Sequence, residues 1–204
     1  MSNKTNRRVF LTSTFSALAA FGGLSFAGKA EAMNAQQASS LVTKLVDDIQ
    51  TTVNSGKTGT SLYREFERIF ATYADVPIIA QSVLGVEWRS ASSSQRRAFT
   101  DAFSGYVARK YGKQFRDFIG GRVEVNGARP IRSFYEVRST AFLKGQRPFE
   151  VIFLVSDRSG RDRVFNIIVE GVNMNTSERT EIGAMLDRRR GDLDAMISDL
   201  RSAG

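Results

Sequence analysis

The stretch FEVIFLVSDRSGRDRVFNIIV, residues 149–169, contains two runs that are almost continuously apolar and rich in β-branched and aromatic residues. Residues 149–156 and residues 164–169 are each predicted to form a strand. Arg158-Ser159-Gly160, which lies between them, predicts a hairpin turn. Because a strand that is apolar on both faces must be covered on both sides, this pair predicts the centre of an antiparallel sheet.

The strand pattern extends upstream of this pair. Residues 122–126 alternate Val123 and Val125 with polar or charged residues, which is the period-two pattern of a strand with one buried face. Asn126-Gly127 predicts a turn, and residues 131–143 predict one long strand of β-branched and aromatic residues. The sheet is therefore predicted to be a twisted antiparallel β-meander of about four strands.

Helical periodicity is present on both sides of the predicted sheet. Asp75 is placed as an N-cap before Pro77, and Ser92 and Gln95 have the spacing of a capping box. Apolar residues recur at spacings of three and four in residues 38–53, 62–73, 78–84, 93–119, 177–189 and 192–201. The order of N-terminal helices, β-meander and C-terminal helices predicts an α+β fold.

The first 32 residues have the layout of a secretory signal peptide. Lys4, Arg7 and Arg8 precede the uncharged residues 9–28, and Ala30-Glu31-Ala32 supplies a small-x-small cleavage site. A membrane anchor is the alternative, but Ser, Thr and Gly dilute the apolar stretch. NRRVFL, at residues 6–11, is similar to the twin-arginine export signal. We predict a cleaved signal peptide over residues 1–32, a single domain over residues 33–204 and a periplasmic location.

The composition and charge of the chain exclude several catalytic mechanisms and limit the kinds of partner that it can bind. It contains no His and no Cys, which excludes disulfides, thiolate nucleophiles and the Ser-His-Asp relay. We therefore expect no catalytic residues, no metal and no cofactor. The net charge is +8, and the predicted signal peptide carries four positive charges and one negative, so +5 remains on the mature chain. This charge on an exported chain favours anionic lipid surfaces or acidic partner proteins over nucleic acid.

Three groups of residues, in their order and spacing, resemble one protein family. They are ADVPIIA at residues 74–80 with LGVEWR at 84–89, then Gln95, Phe99, Phe103, Tyr106 and Tyr111, and finally VEGVNM at 169–174 with Arg179 and Glu181. Together they resemble the MlaC family of periplasmic phospholipid-binding proteins, also known as toluene-tolerance auxiliary proteins, over essentially the whole mature chain. Asn166 and Asn173 depart from the family, which often has Asp and Ser at these positions.

The resemblance implies a soluble phospholipid carrier that is not an enzyme. Acyl chains would lie in an apolar cavity between the sheet and the helices while the protein moves lipid across the periplasm, which maintains the lipid asymmetry of the outer membrane. The implied partners are an outer-membrane lipoprotein complex and an inner-membrane ABC transporter that bears MCE domains. A related branch is associated with hopanoids, so the class of lipid stays open. We expect a monomer that binds no nucleic acid.

The residues predicted to line the cavity come from two helices and three strands. They are Ile78, Ile79 and Val83 from the short helix, Phe99, Phe103, Tyr106 and Tyr111 from the long helix, and Val137, Val151, Phe153, Ile167 and Val169 from the strands. A shift of one residue in register would turn the strand residues to the opposite face of the sheet. The aromatic stripe of the long helix is also compatible with an ordinary packed core.

Two other classes of protein fit the same sequence. The first is a structural or adaptor protein whose apolar faces pack against one another. The second is a hydrolase that uses carboxylates alone, which requires two carboxylates within about 5–10 Å in one cleft. Asp75, Glu87, Glu150 and Glu170 are isolated in the sequence, and no spacing among them supports acid and base roles.

Overall fold

The structure is a computed structural model that describes residues 33–114 and 118–204. The predicted signal peptide and its twin-arginine motif lie outside the described residues. The helices are α1 (Ala35–Asn54), α2 (Gly59–Tyr73), α3 (Val76–Leu84), α4 (Glu87–Ser90), α5 (Ser93–Gln114), α6 (Met174–Arg188) and α7 (Leu193–Leu200). The strands are β1 (Arg122–Ile131), β2 (Phe134–Phe142), β3 (Phe149–Ser156), β4 (Arg163–Val169) and β5 (Val172–Asn173).

The strands form one antiparallel sheet in the order β1-β2-β3-β4-β5, so each strand pairs with its neighbour in the sequence. This arrangement confirms the α+β fold with a meander between N-terminal and C-terminal helices. The two-residue strand β5 adds to the four predicted strands. It pairs with the end of β4 through Ile168–Asn173 and Val169–Val172. A strand this short has no periodicity that a sequence pattern could detect.

The first hairpin differs from its prediction. Asn126-Gly127 does not end a strand, because β1 continues through it with a shift in register between Val125 and Gly127. Gly127 has a φ of 134°, a conformation that glycine adopts readily and that suits a β-bulge. The chain instead turns at Arg132-Ser133, between the paired residues Ile131 and Phe134. The single long strand predicted over residues 131–143 is therefore the end of β1, a tight turn, and β2.

The predicted helix starts are confirmed by their caps. The Asp75 carboxylate accepts a hydrogen bond from the Ile78 N–H at 3.4 Å. Ser92 Oγ accepts from the Gln95 N–H at 3.2 Å, while Gln95 Oε1 accepts from the Ser92 N–H at 3.0 Å, which completes the capping box. The single-turn helix α4 was not predicted, because four residues are too few to show helical periodicity. The long helix α5 is described as far as Gln114, short of the predicted end at residue 119.

The two departures from the family pattern keep their local hydrogen bonds. Asn173 is the N-cap of α6, where its Oδ1 accepts from the Thr176 N–H at 3.1 Å. Serine is an equally good N-cap residue, so the change preserves the function of the position. Asn166 is buried in β4, and its Oδ1 accepts from the Asn175 N–H at 3.3 Å. An aspartate oxygen would accept the same bond, and both departures therefore have structural roles.

Buried apolar side chains form two separate clusters. The sheet cluster joins α1 and α2 to one face of the sheet, and its buried members include Val42, Leu45, Val46, Phe66, Val137, Val151 and Phe153. The helical cluster joins α3, α5, α6 and α7, and its buried members include Ile79, Val83, Phe99, Phe103, Ile182, Met196 and Leu200. The long helix α5 connects them, because Ala108 belongs to the sheet cluster and Phe103 to the helical cluster.

Gly112 sets the distance between α2 and α5. A Cβ at this position would lie 2.9 Å from Tyr63 Cδ1 and 3.2 Å from Phe66 Cδ2. We expect Gly112→Ala to lower the free energy of unfolding by about 1–3 kcal/mol because the added methyl overpacks this contact. Gly183→Ala is the matched control in α6, where a Cβ meets no atom within 4 Å. It is expected to stabilise the protein by about 0.5–1 kcal/mol through helix propensity. Urea unfolding of both variants measures the difference, and equal stability of the two would contradict this packing.

Candidate functional site

One face of the sheet is mostly apolar across four strands, and the buried Ser139 of β2 is a polar member of it. We call it the inner face, since it packs against α1 and contributes to the sheet cluster. Cross-strand pairing aligns Val137 with Phe153 and Phe153 with Ile167, and it aligns Val151 with Val169. The five strand residues predicted to line a cavity therefore share the inner face. Residues directly opposite each other in a sheet project to the same side, and the contact of these five with a lipid stays a prediction.

Burial of the inner face is nearly complete at its centre and partial on the strands to either side. Val137 of β2 is completely buried, and Val151 and Phe153 of β3 are nearly so. On β4, by contrast, Ile167 and Val169 are only half-buried and pack against the rim of the sheet cluster. Val123 and Val125 of β1, at the opposite edge of the sheet, are also half-buried on the inner face. Partly buried apolar side chains on β1 and β4 thus flank the fully buried centre of the inner face.

The outer face of the same strands is partly ionic. Glu136 of β2 accepts hydrogen bonds from Arg129 Nε at 3.0 Å and from Arg138 Nε at 2.8 Å. These guanidinium groups hold the pKa of Glu136 below its ordinary value. Arg138 also lies 3.7 Å from Glu150 of β3. The outer face thus carries ion pairs beside partly buried apolar side chains such as Ile152 and Ile168.

The helix residues of the predicted lining lie elsewhere. Ile79, Val83, Phe99, Phe103 and Tyr106 belong to the helical cluster, where α6 and α7 cover them. Phe99 and Phe103 stack with ring centroids 5.7 Å apart, as in a conventional aromatic core. Ile78 is 43% exposed on the surface of α3. The structure therefore does not bring the helix residues together with the strand residues on the inner face, and their contact with a ligand stays a prediction.

Tyr106 and Tyr111 belong to a polar cluster between α5 and α6, which we define as these two residues with Lys110, Glu178 and Glu181. Tyr106 Oη donates to Glu181 Oε1 at 2.6 Å, and Tyr111 Oη donates a short hydrogen bond to Glu178 Oε1. Lys110 Nζ donates to both carboxylates, at 2.7 Å for Glu178 and 2.5 Å for Glu181. Long side chains thus connect two helices through hydrogen bonds rather than through apolar packing.

Burial and hydrogen bonds within the polar cluster shift the pKa values of Tyr106, Lys110, Tyr111 and Glu181. Burial, and secondarily the hydrogen bonds to the glutamates, raise the pKa of both tyrosines above the ordinary value, so both phenols stay protonated as donors. Burial alone would lower the pKa of Lys110, but its bonds to Glu178 and Glu181 outweigh burial and raise the pKa. Burial alone would raise the pKa of Glu181, but the bonds from Lys110 and Tyr106 outweigh it and lower the pKa.

The sequence interpretation missed Glu178 and the pairing of Glu178 with Glu181. Glu178 is 4% exposed, and its Oε2 has no hydrogen-bond partner among the described residues. The two glutamates are three residues apart on α6, a spacing that places side chains on one helix face and was available in the sequence. Lys110 Nζ lies 2.7 Å from the Glu178 carboxylate and 2.5 Å from the Glu181 carboxylate, so the cluster ties α5 to α6.

The lowered pKa of Glu181 has a consequence for the pH dependence of stability. Its carboxylate is favoured in the folded state, so the stabilisation is fully present above its ordinary pKa of 4.5 and is lost as the pH falls through the folded pKa. Glu181→Gln keeps the acceptor oxygen but cannot ionise. We expect the difference in unfolding free energy between wild type and Glu181→Gln to shrink as the pH falls below 4.5. Urea unfolding at a series of pH values measures this difference, and a value independent of pH would contradict the account.

Two further features of the described part of the chain bear on its class. No helix there is long and apolar enough to cross a membrane. Within the same residues, no three acidic side chains are placed so that they could hold a metal ion.

The fold and the inner face together define a class: an α+β protein in which helices cover one apolar face of an antiparallel meander. The model of the family described as MlaC protein matches residues 39–202, and the chain belongs to the MlaC family. The solved structure of a phospholipid-binding protein from Ralstonia solanacearum, in complex with a phospholipid, is similar in fold, with a TM-score of 0.65 at 20% sequence identity. The match covers 80% of this chain and 98% of that chain.

Proposed function

We propose that this protein is a non-enzymatic carrier that holds the acyl chains of a phospholipid against the inner face of its sheet. The observation that carries the proposal is the apolar row on this face, which is buried at Val151 and Phe153 and partly buried at Ile167 and Val169. Membership of the MlaC family supports the proposal. It is supported further by the relative of similar fold whose structure contains a phospholipid.

The energetics of a lipid carrier match an apolar site without chemistry. A two-chain phospholipid has on the order of thirty methylenes, and at about 0.8 kcal/mol each their exposure to water costs on the order of 25 kcal/mol. A carrier must therefore shield nearly all of both tails. Exchange with a bilayer stays close to balanced, because the bilayer and the site are both apolar. Such a site needs much apolar surface and few hydrogen bonds.

The partly buried apolar residues of β4 mark the proposed entrance for the tails. Ile167 and Val169 continue the apolar row beyond the area covered by α1, so a tail that enters there meets apolar surface at each step towards Phe153 and Val151. The tails then separate α1 and α2 from the sheet, and the headgroup stays in water. Side chains of the sheet cluster that pack against one another without lipid pack against methylenes when lipid is bound.

The location and partners of the carrier follow from the family and from the predicted signal peptide. We propose that the chain works in the periplasm after removal of residues 1–32. There it would exchange lipid with an outer-membrane lipoprotein complex and with an inner-membrane ABC transporter that bears MCE domains, and so maintain the asymmetry of the outer membrane. The basic balance of the mature chain suits anionic lipid surfaces and acidic docking partners.

Extraction of the purified protein with organic solvent, followed by mass spectrometry, tests the proposed function. The protein is expressed from the full-length chain and purified after export, beside an unrelated exported protein prepared in the same way. We expect two-chain phospholipid in the extract of this protein alone, and uptake of phospholipid from vesicles by the delipidated protein. A hopanoid in the extract would support the carrier function and identify a different cargo. A protein that carries no lipid from cells and takes none from vesicles is not a carrier.

A further inference from the structure

A groove of about 430 Å³ lies on the surface of α3, α4 and α6, on the side of the helical cluster. Ile78 and Val86 are apolar side chains in its wall that are 43% and 75% exposed. Burial of these two side chains against a ligand would be favourable, because it removes apolar surface from water. The remaining lining residues are Gln81, Ser82, Gly85, Trp88, Arg89 and Arg179. The lining therefore combines apolar and basic side chains and includes no carboxylate.

Arginine side chains hold the walls of this groove through main-chain oxygens. Arg179 of α6 donates from Nε to the Ser82 carbonyl at 2.7 Å, which fastens α6 to the end of α3. Gly85 has a φ of 67° and packs against the Arg179 side chain, so that a Cβ there would lie 3.6 Å from Nε. Arg96 donates to the carbonyls of Trp88 at 2.8 Å and Arg89 at 3.1 Å, which fixes α4. The groove is thus preformed.

The charge of these arginines is not neutralised within the described part of the chain. Arg96 and Arg179 donate to uncharged carbonyls, and neither they nor Arg89 form an ion pair with any described carboxylate. Of these arginines, Arg89 and Arg179 line the groove, so two guanidinium groups present positive charge beside its exposed apolar surface. Guanidinium groups recognise carboxylates with two parallel hydrogen bonds, which gives both strength and orientation. The complementary ligand carries apolar and acidic groups side by side.

We propose that this groove docks an acidic segment of a partner protein, with an apolar side chain against Ile78 and Val86 and carboxylates on Arg89 and Arg179. The proposal rests on the carrier function, since a carrier must engage the proteins with which it exchanges cargo. A protein segment fits better than a membrane surface because the groove is concave, and a flat bilayer would touch only its rim. Because the groove lies on the helical cluster and the tails are placed on the inner face, docking and lipid binding can be altered separately.

Site-specific photocrosslinking tests this docking surface. p-Benzoylphenylalanine is introduced at Val86 of the full-length chain, and adducts formed in living cells are identified by sequencing the crosslinked peptide. We expect a protein segment with Asp or Glu within about one helical turn of the crosslinked residue. Arg89→Glu is expected to reduce the adduct at least about tenfold, and Arg89→Gln is expected to reduce it less. The same photoreactive residue at Val172, which is 55% exposed, is the matched control whose adducts should not depend on Arg89.

The outcomes separate this inference from the proposed function. Adducts at Val86 that are unchanged by Arg89→Glu, that map only to lipid or to a second copy of the chain, or that do not form at all would overturn the docking proposal. Lipid extracted from the same Arg89→Glu preparation tests cargo binding independently. Arg89 is exposed and its side chain makes no hydrogen bond among the described residues, so both variants are expected to fold and to carry a normal load of lipid.

Discussion

Val151→Trp is expected to deprive the protein of its lipid, with at least about a tenfold fall in phospholipid per molecule of purified protein. Val151 lies on the inner face between Ser139 of β2 and Val169 of β4, which is where the acyl chains are proposed to lie. An indole at this position occupies volume that the tails need. In the proposed binding mode α1 and α2 move away from the sheet to admit lipid, so we expect the ring to be accommodated there at little cost to folding. Extraction and mass spectrometry measure the lipid, and urea unfolding measures the stability.

Ile152→Trp is the matched control for this experiment. Ile152 is the next residue on β3 and pairs with Arg138 and Ile168, so its side chain projects to the outer face. This variant is expected to keep a normal lipid content. An adaptor protein with a solid core would behave differently, because overpacking at Val151 would cost about 1–3 kcal/mol of stability. A Val151→Trp protein that is destabilised by that amount, yet carries lipid at the wild-type level, would contradict the proposed site.

Phe103→Ala is expected to have the opposite pattern, with a loss of about 3–5 kcal/mol in the free energy of unfolding. Phe103 is 1% exposed, and its ring centroid lies 5.7 Å from that of Phe99 and 6.5 Å from that of Phe70. Removal of the ring leaves a cavity that rigid neighbours cannot fill. Because the helical cluster is separate from the inner face, the variant molecules that remain folded are expected to carry lipid at the wild-type ratio.

Val172→Ala serves as the control for this variant, because Val172 is 55% exposed and truncation there should change stability by less than about 0.5 kcal/mol. The folded fraction of Phe103→Ala is isolated by gel filtration before its lipid is measured. If that fraction carries no lipid while the free energy of unfolding changes little, then Phe103 lines the lipid site. That result would contradict the proposal that lipid binds at the sheet cluster and not at the helical cluster.

Local sequence patterns predicted the central strands of the sheet and the starts of two helices. The two apolar runs around Arg158-Ser159-Gly160 are β3 and β4, as their strand pattern predicted. The caps at Asp75 and Ser92 predicted the starts of α3 and α5 because capping depends on contacts within four residues. Val151 and Phe153 share a face, as do Ile167 and Val169, because strand side chains alternate with a period of two, but only the pairing of the strands brings Val137 to the same face.

Other features depend on contacts that are distant in the sequence. Asn126-Gly127 has the chemistry of both a tight turn and a bulge, and only pairing with β2 decides for the bulge. The aromatic face of α5 predicted a buried surface but not its partner, and α6 and α7 cover Phe99 and Phe103 in the folded chain. Glu178 reaches Tyr111 across 67 residues of sequence, so no local pattern could predict that contact.

Crosslinking with a phospholipid that carries a diazirine near the end of one acyl chain tests the central claim most directly. The delipidated protein is loaded from vesicles, irradiated and digested, and the modified residues are located by mass spectrometry. The account predicts adducts on the inner face and on the side of α1 that packs against it, with Val151, Phe153, Ile167 and Val169 among the labelled residues. Adducts confined to the helical cluster around Phe103 and Ile182, or to the outer face at Ile152, would contradict it.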